Sequence, residues 1–398
     1  MNSSNYNDYF VPTFSRTGSP MVRGEGMYLV DADGKRYLDF GSGIAVSALG
    51  HSHPRLVSVL KDQGDKLLHL SNLYFSQPQI DLARMLIEHS FGKKVFLCNS
   101  GTEAIEGAIK FSRKWASKTA QDKYHVLSFY KGFHGRTYGA LSATAQQQFH
   151  DGFGPLLEGF HYATLNDVAA TKAVLDKNNF STIIVEPIQG EGGVNIATPE
   201  FLSFLREYSR EHGIALVFDE VQCGMGRTGK LWCYEHYGIT PDILTAAKPL
   251  GGGLPLGAIL CTEQIASAIS PGNHGTTFGG NPLACALGCE LLSIVSEPAF
   301  LEKVTRSGET IRAKLWALAK EFPVIRDVRG NGLLIGVEMA VDPKAIIPLC
   351  KEKGLLLIKA EHNTVRFMPP LIVEQADIDA ALAIFEDVMK IIAKEQHK

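Results

Sequence analysis

The chain has 398 residues, 45% of them hydrophobic and 20% charged, with a net charge of −3; this is enough apolar material for a large core and two domains. The absence of a long Lys/Arg run argues against nucleic acid or an anionic membrane as partner, no uninterrupted apolar run approaches transmembrane length, and Met1 to Asp8 carry neither a basic nor an apolar leader segment. Seven scattered cysteines without a CxxC pair point to a reducing cytoplasm.

Residues 1–20 read as a loose arm, and Gly24 to Phe40 as a hairpin turning at Asp33-Gly34. His51 and His53 flank Ser52 as a metal pair would, but no third ligand lies nearby; a loop before a helix opened by Pro54 is the better reading. From Arg55 to Leu70 the apolar spacing (Leu56, Val59, Leu60, Leu67, Leu68) is helical, with Gly64 as its weak point. Lys94 to Asn99 reads as a strand, and Ser100-Gly101-Thr102 opens a helix running to about Ser117. Such an opening leaves free N–H groups that favour an anion, although taken alone it is more often a plain helix cap. Glu103 early and Lys110, Arg113 and Lys114 late complement the helix dipole and need no functional explanation.

The next strand, His125 to Phe129, runs into a glycine-bracketed loop carrying Phe133, His134 and Arg136, which reads as exposed rather than core. Thr182 to Pro187 and Gly213 to Phe218 are buried strands separated by a helical stretch, Phe201 to His212; each ends in a polar cluster, Ile188 to Gly193 and Asp219 to Gln222. Continuous apolar runs alternating with helices indicate a mostly parallel sheet, and open sheets of this kind bind ligands at the carboxyl ends of their strands. The run Asp242 to Gly253 leads through apolar residues to Lys248, then Pro249 and three glycines. A lysine at a buried strand end has a depressed pKa and can act as a Schiff-base nucleophile; the plainer alternative is a lysine on a solvated turn. Pro249 biases it away from helical geometry. Beyond Pro282, helices over 284–295 and 300–322, strands over 332–338 and 355–358, and a closing amphipathic helix over 376–394 form a smaller α+β unit. The expected architecture is therefore α/β: residues 61–283 form a large domain with a mostly parallel central sheet flanked by helices. Residues 284–398 form a small α+β domain, to which the arm and hairpin of residues 1–60 belong.

Gly224 to Gly229 matches GxGxxG directly after a strand, but Lys230-Leu231-Trp232-Cys233-Tyr234 follows where a dinucleotide fold needs a helix. With Lys230 the same stretch satisfies GxxxxGK, yet Leu231 stands where a magnesium-binding Ser or Thr is required. A glycine-rich loop beside a site is the better account of both.

An enzyme using pyridoxal phosphate needs an imine-forming lysine, an anion site, an acid facing the ring nitrogen and apolar cover on both ring faces. Candidates for each stand at strand ends or a helix start; Asp219, the candidate acid, could equally be a helix cap. The segments 38–46, 99–104, 133–137, 185–193, 218–222, Ala247-Lys248 and 274–282 together resemble the class III (ω-)aminotransferases of fold type I, in family order over nearly the whole chain. The resemblance implies that Lys248 carries pyridoxal 5'-phosphate covalently and shuttles a proton, and that Asp219 pairs with the ring nitrogen. It further implies that Val221 and Phe133 cover the ring, that Gln222 and Glu220 adjoin the cofactor, and that Gly101 and Thr102 bind its phosphate. Thr277 would reach that phosphate from the neighbouring subunit of a homodimer. Arg136 and Thr276 correspond to contacts with an acylated amino-acid donor, and Arg366 to the grip on a substrate α-carboxylate. Glu191 would pair with Arg366 in one half-reaction and release it in the other. The activity so implied moves the terminal amine of N2-acetylornithine to 2-oxoglutarate, giving N-acetylglutamate 5-semialdehyde and glutamate, a step of arginine biosynthesis. Ornithine, succinylornithine, lysine and 4-aminobutyrate are the rival donors. Ile105 stands where many relatives have asparagine, and Pro249 where bacterial members often have alanine.

Overall fold

Four apolar runs, Phe180–Val185, Ala215–Asp219, Ile243–Ala246 and Gly257–Cys261, are buried at every position. Strands covered on both faces need no polar alternation, and they form the middle of a sheet flanked by helices. The structure is a computed structural model and describes residues 8–396; the first part of the expected arm, and with it nearly all of the stretch read for a leader, lies outside them. The seven strands of this sheet are β1 (Lys94–Cys98), β2 (His125–Phe129), β3 (Phe160–Ala163), β4 (Phe180–Val185), β5 (Ala215–Asp219), β6 (Ile243–Ala246) and β7 (Gly257–Cys261), in spatial order β1-β7-β6-β5-β4-β2-β3. All neighbours are parallel except around β7, which runs antiparallel to both β6 and β1.

The helix that follows β1, α1 (Gly101–Ala116), is fixed at its start by two side chains. Ser100 Oγ accepts from the Glu103 amide, and Glu103 Oε2 accepts from the backbone and side-chain nitrogens of Asn99 at 2.9 and 2.8 Å. This is a capping box shifted by one residue, and it sets the angle at which the helix leaves the strand. After β2 come two short helices, α2 (Tyr138–Ala143) and α3 (Gln147–His150). The helix expected from Arg55 spans Pro54–Gly64 and stops at its glycine, so Leu67 and Leu68 lie beyond it, exposed.

Three smaller sheets complete the architecture. Met21–Glu25, Tyr28–Asp31 and Arg36–Asp39 form an antiparallel set to which Leu355–Leu356 adds in parallel. Ile325–Asn331, Leu334–Met339, Thr364–Phe367 and Ile358–Ala360 form another, and Ile188–Gln189 with Asn195–Ile196 a two-stranded ribbon. The strand expected over 355–358 is thus two strands in two sheets, because the chain changes partners at Leu357. The strand expected from Gly332 begins at Leu334, because Gly332 turns the hairpin at φ +51. No single helix of the described residues is long and apolar enough to cross a membrane.

The pairing of β7 with β1 brings Gly257 opposite Cys98. A Cβ at Gly257 would lie 2.6 Å from the Ser100 carbonyl oxygen and 2.9 Å from Cys98 Sγ, so only glycine lets the start of α1 sit this close to the sheet. Gly257→Ala is therefore expected to destabilise the protein by about 1–3 kcal/mol through overpacking; a thermal melt coincident with the parent's would contradict this contact.

Candidate active site

The carboxyl ends of β1, β5 and β6 and the start of α1 enclose a cavity of about 450 Å³. Lys248 reaches it from the end of β6. Ala247 is extended (φ −164, ψ −137), and Lys248 takes φ +48 before opening a short 3₁₀ turn, Lys248–Gly251. Positive φ in a residue preceding proline is unfavourable and persists only where the surroundings over-determine it. Those surroundings are the buried strand before it and the fully buried Pro249-Leu250-Gly251 after it. Burial pushes the Lys248 ammonium below its usual pKa, while Glu191, Asp219 and Glu186 pull the other way.

Asp219 ends β5 and lines the cavity. Its Oδ1 accepts from the Thr245 hydroxyl at 3.2 Å and the Val221 amide at 3.1 Å; its Oδ2 lies 2.7 Å from His134 Nδ1. Burial alone would lower the His134 pKa, but the bond to Asp219, its charge and that of Glu186 outweigh burial and hold it above its ordinary value. Glu186, at the end of β4, accepts from the amides of Phe133 (2.8 Å) and Gly190 (3.2 Å). Burial, assisted by Asp219, pushes it up to about 7. His134 and Glu186 both line the cavity. Sequence reading quoted them without a role; the available signal was their position, one at the end of a buried strand and one between glycines.

Ser100, Gly101 and Thr102 line the opposite side. Glu103 N is taken by Ser100 Oγ and Ala104 N by the Ser100 carbonyl, leaving the first-turn amides before them as the helix's anion site. A Cβ on Gly101 would meet Val221 Cγ1 at 2.8 Å, so Val221 is pressed against the helix start with its side chain in the cavity wall. The Thr102 hydroxyl is within 2.8 Å of Thr137 Oγ1 and accepts from the Arg136 and Thr137 amides at 3.2 and 3.3 Å, tying the start of α1 to the loop after β2. On that loop Phe133 is half-buried and Arg136 exposed, and both line the cavity.

Arg366, 1% exposed, stands on Thr364–Phe367 behind Gln222. It meets Glu191 with both terminal nitrogens, 2.7 Å to Oε1 and 2.9 Å to Oε2, and also donates to Gln222 Oε1 at 3.0 Å and the Lys359 carbonyl at 2.9 Å. Gln222 Nε2 returns to Glu191 Oε1 at 3.2 Å, closing a three-membered network. Burial alone would raise the Glu191 pKa; the Arg366 charge and hydrogen bonds outweigh it and hold the carboxylate ionised below its usual range. The Glu191 loop is wedged in place. A Cβ on Gly190 would fall 1.9 Å from Gln222 Oε1 and one on Gly192 2.3 Å from the Lys131 carbonyl oxygen. Arg329 Nε holds the Gly193 carbonyl and the Glu361 amide holds that of Glu191, each at 2.9 Å.

Besides Arg366 and Glu191, which stand behind the Gln222 wall, three expected site residues do not line this chain's own cavity, Thr277 being expected at a neighbour's. Glu220 points the other way: its carboxylate accepts from the amides of Cys233 and Tyr234, and burial pushes it up to about 8. Thr276 accepts from Asn99 Nδ2 and the Gly279 amide, both at 3.2 Å, on the outer side of β1, and Thr277 is exposed beside it. The Gly224–Gly229 turn is buried, with Arg227 donating to the carbonyls of Leu333 and Pro369, and only a short 3₁₀ turn, Cys233–His236, follows where a dinucleotide fold needs a helix. His51 is bonded to Asp39 at 2.9 Å and His53 precedes the Pro54 helix.

The donor set fits pyridoxal phosphate. It offers a strained lysine of lowered pKa, a buried carboxylate backed by a histidine, a helix N-terminus, and Val221 and Phe133 as apolar walls. The family model for aminotransferase class-III matches residues 13–389. The acetylornithine aminotransferase of Caldanaerobacter subterraneus subsp. tengcongensis is 49% identical, over 96% of this chain and 98% of that one. That of Methanocaldococcus jannaschii is 45% identical, over 97% of each. Among solved structures, the ornithine aminotransferase from Toxoplasma gondii ME49 superposes with a TM-score of 0.94 at 31% identity, covering 98% of this chain and 95% of that one. The N-acetylornithine aminotransferase from Stenotrophomonas maltophilia K279a gives 0.85 at 33%, covering 98% and 99%. The chain belongs to the class-III aminotransferases, transaminases of fold type I that depend on pyridoxal phosphate.

Proposed function

We propose that this enzyme transfers the terminal amine of N2-acetylornithine to 2-oxoglutarate, a step of arginine biosynthesis. The observation that carries the reading is a pair of guanidinium groups, Arg136 at the cavity mouth and Arg366 behind its Gln222 wall. Arg366 is neutralised by Glu191, and among the described residues Arg136 has no ion pair. A donor whose reacting carbon bears no carboxylate needs the first arginine masked, while its remote α-carboxylate needs the second. 2-Oxoglutarate, with a carboxylate at each end, needs both. Relatives at 45–49% identity named acetylornithine aminotransferase support the choice of donor.

Pyridoxal phosphate, when bound, supplies an aldehyde that condenses with amines and a ring that withdraws an electron pair. Everything else is done by side chains. Lys248 Nζ would be the base that takes the proton from the carbon bearing the donor's terminal nitrogen, a role its lowered pKa suits. Asp219 would face the ring nitrogen, its carboxylate held in place by His134 Nδ1 at 2.7 Å from Oδ2. Gly101 and Thr102 would receive the phosphate, Val221 and Phe133 would cover the ring, and Gln222 would adjoin it. The first substrate leaves as aldehyde before the second enters, so Glu191 must leave Arg366 between half-reactions.

The reading includes a homodimer in a reducing cytoplasm. Thr276 and Thr277 lie outside their own chain's cavity, where a second copy would receive them. Beside them the exposed apolar side chains Leu73, Tyr74, Phe75 and Phe278 form a surface too apolar for open solvent. Asn72 Nδ2 ties that surface to the Thr276 carbonyl at 3.1 Å. Seven unpaired thiols suit a reducing compartment.

A panel of amines tests the donor, following cofactor absorbance in a single half-reaction. N-acetylornithine should outpace ornithine by about 10²-fold or more, because ornithine's free α-ammonium enters the pocket unpaired; equal rates would remove acetylornithine from this account. Lys248→Ala should lower turnover by at least about 10³-fold while pyridoxal phosphate still binds without a covalent bond; a fully active variant refutes the assignment. Glu191→Ala leaves Arg366 buried without its anion, a loss on the order of 3–5 kcal/mol. Its preference for terminal amines over α-amino donors should collapse in competition assays, and an unchanged ratio would show that Glu191 is no switch.

A further inference from the structure

The arginine at the mouth is held in an unusual way. Its root is fixed by the Thr102 hydroxyl accepting from the Arg136 amide at 3.2 Å. Its head rests on aromatic faces: the guanidinium carbon is 3.9 Å from the centre of the Phe149 ring and 5.2 Å from that of Phe133. The two rings meet edge to face at 5.8 Å, forming a corner. Phe149 is presented by α3, which is secured on three sides. His150 Nε2 lies 2.6 Å from the Thr144 carbonyl oxygen, Gln146 Nε2 donates to the Gly132 carbonyl at 3.0 Å, and Gln148 Nε2 donates to Glu361 at 2.9 Å.

A guanidinium uses two different surfaces. Its faces attract a π-cloud, and its edges carry the N–H donors. A carboxylate holding Arg136 would occupy the edges and cancel the charge, as Glu191 does to Arg366. A phenylalanine has no acceptor oxygen. It fixes the plane and leaves the donors and the positive charge available to an incoming carboxylate. We infer that Phe149 is a positioning residue for donor selection: it orients the Arg136 fork so that this site prefers amines carrying a remote carboxylate. The inference rests on the functional reading above and deepens it.

The test uses the cofactor-loaded enzyme, two donors and one inert ligand. N-acetylornithine carries the remote carboxylate and N-acetylputrescine is the same molecule without it. N-acetylnorvaline keeps the carboxylate but lacks the reacting amine, so its binding can be followed by calorimetry independently of turnover. Phe149→Ala and Phe149→Leu are expected to weaken N-acetylnorvaline binding, and to raise the half-reaction KM for N-acetylornithine, by about five- to tenfold. The maximal rate should change less than KM, and the KM for N-acetylputrescine by under about twofold. Phe149→Tyr, which keeps the ring, should restore both values.

A parallel loss with both donors would show that Phe149 merely supports the fold of the mouth and would overturn the inference. So would a leucine variant that binds N-acetylnorvaline as tightly as the parent, since leucine keeps bulk without the π-face. Arg136→Ala separates the two levels. If it spares N-acetylornithine, the functional reading of the mouth fails. If it weakens that donor while the Phe149 variants do not, only the role of Phe149 fails.

Discussion

Ionised groups placed where water is scarce must answer one another, and that requirement organises the cavity. Lys248 alone would be driven neutral by its enclosure; three carboxylates, Glu191, Asp219 and Glu186, oppose this. Those carboxylates would in turn repel each other. Two of them are separated by His134, whose charge favours both, and the third is committed to Arg366. Removing one partner from such a set strands the others, which is why single substitutions here cost more than the bond they delete. The backbone serves the same end. Strands β4, β5 and β6 stop side by side, so Glu186, Asp219 and Lys248 emerge at neighbouring points of one rim.

The two arginines divide recognition between them. One is buried, paired and bidentate; the other is exposed and held by its faces. The difference is one of availability. On the function proposed above, the first would bind a carboxylate only when Glu191 withdraws, and the second would be open to one throughout. The Thr102 hydroxyl adds a mechanical link, because the helix start that forms the phosphate site also anchors the backbone of Arg136.

Much of this was legible in the sequence for a definite reason. The buried strands β4, β5 and β6 are uninterrupted apolar runs, and the residue that ends such a run is at the rim of a parallel sheet. Asp219 and Lys248 stand at such ends, although each alone also reads as something plainer, a helix cap and a solvated turn, and only the other segments taken with them decide between the readings. The place of Glu220 is not legible in this way, because side chains alternate at a strand end: Asp219 and Val221 share the cavity side while the residue between them faces away. His134 and Glu186 take their meaning from contacts across 85 and 53 residues of chain, respectively with Asp219 and with the Phe133 amide, and no local pattern records those. The antiparallel strand β7 was missed, as was the change of sheet at Leu357; both are set by which neighbour accepts the hydrogen bonds. Phe149 lies in a short glutamine-rich stretch whose composition says nothing of a ring set against a guanidinium.

The wedged loop around Glu191 limits how its carboxylate can ever move aside. Gly190 and Gly192 pack too close to Gln222 and Lys131 to admit a side chain, and the carbonyls of Gly193 and Glu191 are both held, so the backbone of the loop is closely confined. Any withdrawal from Arg366 is therefore a rotation about side-chain bonds, a motion of picoseconds to nanoseconds once the ion pair has parted. A latch of that kind keeps no memory of the previous visitor. It resets between one molecule and the next, and the strict alternation of amine and keto acid is set by whether an amino group has just been taken up, not by where Glu191 rests.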